Sequence, residues 1–157
     1  MPRRLSLTVL LALLALAAVP AVASAGWFQA QPVDGPSPDI ESFGGVDLAR
    51  DGTGGLVYIK RADGVAHVFL SRFNGGQFRQ PERVDLGIAE PAGQAVVAAA
   101  DTNRLAVVWT AGSRVYGAVV PGGGAPGPLA GPTELYSDPG GNPSDVALDM
   151  GINGGAA

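Results

Sequence analysis

Apolar and polar positions alternate in short runs along this chain, and glycine-containing pairs separate the runs. Between residues 44 and 86 the runs are GVDLAR, LVYIKR, VFLSRF and QFRQPERVD, punctuated by Asp51-Gly52, Asp63-Gly64 and Asn74-Gly75. Runs of that length, rich in Val, Ile, Tyr and Phe, predict strands, and Asp-Gly or Asn-Gly predicts a tight hairpin because glycine takes a positive φ without strain. Four strands, A to D, thus predict one antiparallel meander. A second unit follows the same plan with AVVAAA, LAVVWT, RVYGAVV and TELYS, turns at Asp101-Thr102-Asn103 and Ala111-Gly112-Ser113, and the longer connection PGGGAPGPLAGP. Pro81 and Pro132 stand near the start of the two D strands, where a missing amide is tolerable at a sheet edge.

The plan recurs at a fixed spacing. Val46, Val96 and Val146 stand fifty residues apart, and Asp145 to Met150 predicts the A strand of a third unit. Strand B shows how the sheets are covered. Val57 and Ile59 share one face, as do Val107 and Trp109 at the same offset, while Leu56 and Tyr58, like Ala106 and Val108, share the other. Neither face is polar, which predicts a neighbouring layer on both sides of each sheet.

Four-stranded sheets on a period of fifty, apolar on both faces, resemble the blades of a β-propeller, of the loosely repetitive sort common among secreted bacterial proteins. The resemblance spans almost all of the chain beyond residue 25. It lacks the Gly-His to Trp-Asp frame of WD40 repeats, the Ser-x-Asp-x-Gly-x-x-Trp box of sialidases and the glycine pattern of kelch repeats. It implies an all-β fold with blade 1 over 44–89, blade 2 over 90–141 and the start of a third over 142–157. Trp27 to Asp34 echoes Gln77 to Asp85, so 26–43 is expected to supply an orphan D strand, able to close a ring, and a linker. Since a propeller has about four blades or more, the expectation is the N-terminal part of a longer ring, interrupted inside its third unit. The alternative is a short protein that self-associates through open blade edges.

The first residues read as an export signal. Arg3 and Arg4 precede an unbroken apolar run from Val9 to Val19, then Pro20 and the small-x-small pattern Ala23-Ser24-Ala25. Eleven apolar residues are fewer than the roughly 20 needed to cross a bilayer, so 1–25 is expected to be cleaved and the remainder released, secreted or otherwise extracytoplasmic, with no membrane association. Losing two arginines takes the net charge from −4 to −6, a balance that disfavours nucleic acid. The chain has no cysteine, so packed strands must stabilise it without disulfides or thiolate metal sites.

Chemistry is sparse in the sequence. His67 is the lone histidine and is expected to be an ordinary strand residue, because no nucleophile or second metal ligand accompanies it. Asp47, Asp51, Asp101 and Asp149 lie at turns without EF-hand spacing. The offset of fifty between Asp51 and Asp101 favours side-chain capping of hairpins over calcium. Asp39 and Glu41, beside Pro36 and Pro38, are expected in a solvated linker. Trp109 and Tyr116 occupy the positions of Ile59 and Phe69 nearby in the first unit, so packing accounts for them, as it does for Trp27 and Tyr58. Arg72 and Arg114 are expected to cover apolar neighbours with their stems. The glycine-rich connection lacks the Gly-Lys-Ser/Thr ending of a phosphate loop. No catalytic, metal or cofactor residue is assigned. The expected role is binding or scaffolding outside the cytoplasm, with a protein or glycan as ligand. The alternative is a glycan-active or lyase-type enzyme with its catalytic residues in further blades.

Overall fold

The computed structural model describes residues 30–122 and 128–155. The expected leader, 1–25, lies outside the described residues. Among these there is no helix, and two open antiparallel sheets account for the regular structure. The first holds β1 (Ile40–Leu48), β2 (Gly54–Ala62), β3 (Val65–Asn74), β4 (Gln77–Phe78) and β5 (Glu82–Arg83), in the order β1-β2-β3-β4 with β5 also on β3. The second holds β6 (Ala92–Ala100), β7 (Arg104–Ala111), β8 (Arg114–Val120) and β9 (Ala130–Ser137), in sequential order.

The turns follow the residue chemistry. Ala62 pairs with Val65 across Asp63 and Gly64, both at positive φ (53° and 82°), as a two-residue hairpin of this hand requires. Asn74 pairs with Gln77, so the next loop is Gly75-Gly76 and Asn74 closes the strand. The expected D strand of the first unit is broken in two. Pro81 has no amide to give to the ladder, and pairing resumes only at Glu82, opposite Leu70.

Three further expectations are corrected. Residues 30–34 of the proposed orphan strand are not a strand, and Asp34 instead turns its carboxylate onto Tyr58 and Lys60; residues 27–29 of that stretch lie outside the described residues. The linker assigned to 26–43 contains the first half of β1, which begins at Ile40. Asp145 to Met150 forms no strand, with only an isolated bridge at Met150. Asp145 sits at φ 57°, a left-handed conformation that interrupts an extended run.

The two sheets share one core. Val57, Ile59, Val68 and Leu70 supply it from the first sheet, and Ala95, Val97, Leu105, Val107, Trp109 and Ala118 from the second. Register makes each set one face: Val57 opposes Leu70 and Ile59 opposes Val68, while Val107 opposes Val97 and Ala118. Blades rotated about a common axis would turn residues fifty apart the same way round the ring. Val57 would then meet the face of Ala106 and Val108. Here Val57 and Val107 point into the same interior, so the expectation of blades stacked in a ring, each covered on both sides, gives way to two layers packed inner face to inner face.

Glycines set the closeness of that packing. A Cβ on Gly44 would lie 2.5 Å from the carbonyl oxygen of Ala95 and 2.9 Å from Val57. One on Gly55 would lie 2.9 Å from Leu70 and 3.3 Å from Leu105. Gly44 leaves room for the free edge of β6 to rest on the first sheet, and Gly55 leaves room for the Leu105 side chain of β7.

Candidate functional site

The outer face of the second sheet bears an apolar groove of about 510 Å³. Ala106 and Val108 of β7 form its floor with Gly117 and Val119 of β8, whose register places all four on the side away from the core. Thr133 and Leu135 of β9 make one wall, and Ala147 and Leu148 the other. Gly117 gives the groove its depth, since Leu135 would lie 2.9 Å from a Cβ there. Val119 and Leu135 remain 49% and 58% exposed. Thr133 has the one polar side chain in the lining. The surface can bury aliphatic side chains but offers little to hydrogen-bond a sugar.

A second depression, of about 240 Å³, lies where the ends of β1 and β6 meet residues 149–152. Asp47, Asp101 and Asp149 reach it, and their oxygens are engaged by neighbouring groups. Asp47 Oδ2 accepts the Ala99 amide at 2.7 Å, Asp101 accepts the Asp51 amide and Arg50 Nη2, and Asp149 Oδ1 accepts the Met150 amide. Asp51 accepts from the Thr53 hydroxyl and amide and, across the two sheets, from the Thr102 amide at 2.6 Å. The hydroxyl of Thr53 and then these amides hold the Asp51 carboxyl below its ordinary range. The aspartates spaced by fifty therefore cap turns, each partly for the other unit. Among the described residues no cluster of three metal-ligating side chains occurs.

His67 lies on the outer face of the first sheet, and its place is set by a partner the sequence hid. Nδ1 is 2.8 Å from Asp85 Oδ2, and Arg83 Nε donates to Asp85 Oδ1 at 2.8 Å. A carboxylate only accepts, so Nδ1 carries the proton. Both His67 and Asp85 are buried. Among the described residues no hydroxyl joins them, for Ser71 Oγ donates to the Arg79 carbonyl. The arrangement clasps the broken D strand to β3. No spacing in the sequence connects the lone histidine with Asp85, eighteen residues further on.

The remaining candidates are placed as follows. Tyr58 stacks on Phe69 with centroids 5.8 Å apart and donates its hydroxyl to Asp34, which also receives Lys60 Nζ. Those bonds, from Tyr58 first and Lys60 second, lower the Asp34 carboxyl, while burial and Asp34 push the Tyr58 hydroxyl far up. Trp109 stacks on Tyr116 at 5.9 Å inside the shared core, its indole N–H without a hydrogen-bond partner among the described residues. Asp39 bonds Ser37 just before β1, and Glu41 of β1 pairs with Arg61. Arg72 pairs with Glu82, and Arg114 lies near Glu90 and Glu134. Trp27 lies outside the described residues. No family model, curated protein or solved structure matches this chain.

Proposed function

We propose that this chain is a secreted all-β repeat protein with a binding or scaffolding role outside the cytoplasm, and that this segment performs no catalysis. The ring of a propeller is not part of this reading, because equivalent faces of the two units share one core. The leader-like residues 1–25 support export. The observation that carries the binding role is the apolar groove, floored by Ala106, Val108, Gly117 and Val119, in which Val119 and Leu135 stay exposed. Its lining favours an extended, apolar protein segment over a glycan.

Two measurements test this. Residues 1–25 fused to a reporter that is active only outside the cytoplasm should give activity in an exporting host; activity confined to the cytoplasm would refute secretion. Titration calorimetry with extended peptides of alternating Val and Leu should show binding that Leu135→Asp weakens by roughly tenfold or more. Saturable binding of oligosaccharides instead, unaffected by Leu135→Asp, would overturn the assignment of the groove.

A further inference from the structure

Two Asn-Gly pairs occur in the chain, Asn74-Gly75 and Asn153-Gly154. A glycine after asparagine leaves its backbone nitrogen open to the asparagine side chain, because no Cβ stands in the way. The fold treats the two pairs differently. Asn74 ends β3 in register with Gln77, and its side-chain amide donates to Asn103 Oδ1 at 3.0 Å. Asn153 is exposed in a turn outside the sheets, and its backbone carbonyl accepts from Arg104 Nη1.

Glycines make the room for Arg104. A Cβ on Gly154 would lie 2.6 Å from Arg104 Cδ and 2.8 Å from Nη1, and one on Gly122 would lie 2.5 Å from Nε. The two glycines thus flank the side chain and hold its guanidinium beside the peptide that joins Asn153 to Gly154. Arginine keeps its charge at every physiological pH. A cation on a peptide carbonyl stabilises the negative charge that the peptide gains when its nitrogen loses a proton, much as an oxyanion hole stabilises a tetrahedral intermediate. The nitrogen of this peptide is that of Gly154. Its N–H donates to the Gly151 carbonyl at 2.7 Å, a turn bond of an exposed segment that opens at low cost.

We propose that Asn153-Gly154 is a self-modifying site, at which Arg104 activates the Gly154 nitrogen toward the Asn153 side chain. Solvent base takes the Gly154 proton, and the nitrogen attacks Asn153 Cγ. The new C–N bond closes a succinimide ring, and the Cγ–Nδ2 bond breaks to release ammonia, which takes its proton from water. Water then opens the ring at either of its carbonyls, giving aspartate or isoaspartate, so that water is taken up and ammonia given off with no change of oxidation state. Each product adds a carboxylate to the turn that Arg104 contacts.

Peptide mapping by mass spectrometry of the full chain, incubated in neutral buffer both folded and in urea, follows conversion at the two pairs. In the folded protein Asn153 should convert roughly fivefold faster than Asn74 or more, since the Asn74 amide must first leave Asn103. Arg104→Gln, which keeps a donor but no charge, should slow Asn153 roughly tenfold. Arg104→Lys, which keeps the charge, should recover part of that loss. In urea the wild type and both variants should convert at equal rates at Asn153. Conversion of Asn153 no faster than Asn74 in the folded wild type overturns the proposal, as does a folded Arg104→Gln that converts as fast as the wild type or faster. A difference that persists in urea overturns it too, because the folded contact would then not be its source. Should Arg104→Gln not fold, Arg104→Lys must still be slower than the wild type, and equal rates would refute activation by Arg104.

Discussion

At the scale of single residues, burial and hydrogen bonding decide what each candidate does. Asp85 is fully buried between His67 and Arg83. Asp85→Ala should cost about 2 kcal/mol in urea denaturation, because it strands the buried His67 ring N–H, whereas the part-exposed Arg83 can turn to water. Trp109→Ala should cost about 3–5 kcal/mol by emptying the core, whereas Trp109→Phe should be much milder, since it keeps most of the ring and removes an N–H that has no partner. Asp34 has a carboxyl held below its unfolded value, chiefly by the Tyr58 hydroxyl and then by Lys60. Its contribution to stability is therefore complete above the unfolded carboxyl pKa of about 4 and fades as pH falls through the lower folded value. Tyr58 runs the other way: its hydroxyl is pushed up, so the folded state keeps a proton that the unfolded chain releases, and stability should fall as pH rises above about 10. Melting temperatures measured across pH should show both limbs in the wild type and a flatter alkaline limb in Tyr58→Phe. The residue types were legible from the sequence, and so was the capping by Asp51 and Asp101. Partners such as His67 and Asp85 were not, because their meeting depends on where β5 pairs along β3.

At the scale of elements, strand identity came from alternation and turn chemistry, and these two local signals agree with the ladder in most strands. They fail where pairing decides. Residues 30–34 and 145–150 have the composition of strands but no neighbour completes a ladder for them. Composition also could not say which apolar face of strand B turns inward. That choice appears in the close approach of Gly44 and Gly55, neither of which is needed for a turn. Gly44→Ala should destabilise by about 1–3 kcal/mol, since the intruding methyl meets the Ala95 carbonyl oxygen, which is backbone and yields little. Gly55→Ala should cost less, because it meets only the ends of the Leu70 and Leu105 side chains. Paired urea titrations of the two variants check the order; equal losses would mean that β6 does not rest on Gly44.

At the scale of the whole molecule, fold class was readable and arrangement was not. A fifty-residue period describes how the chain was duplicated but leaves open whether duplicates face the same way or face each other. Because the faces of Val57 and Val107 close on one interior, residues 32–155 should melt in a single transition, and Trp109→Ala should speed amide exchange in β2 as well as in β7. Exchange confined to the second sheet would indicate separate folding units. The reciprocal bonds of Asp51 and Asp101 bear on how such a protein could be altered. They act as a peg and socket joining two hairpin tips, with Asp51 holding the Thr102 amide and Asp101 the Asp51 amide. Adding one residue to either tip would pull all of these apart together, whereas the stretch from Leu86 to Pro91 that links the layers takes no part in them. Grafted sequence would accordingly be welcome in that link and ruinous at the tips.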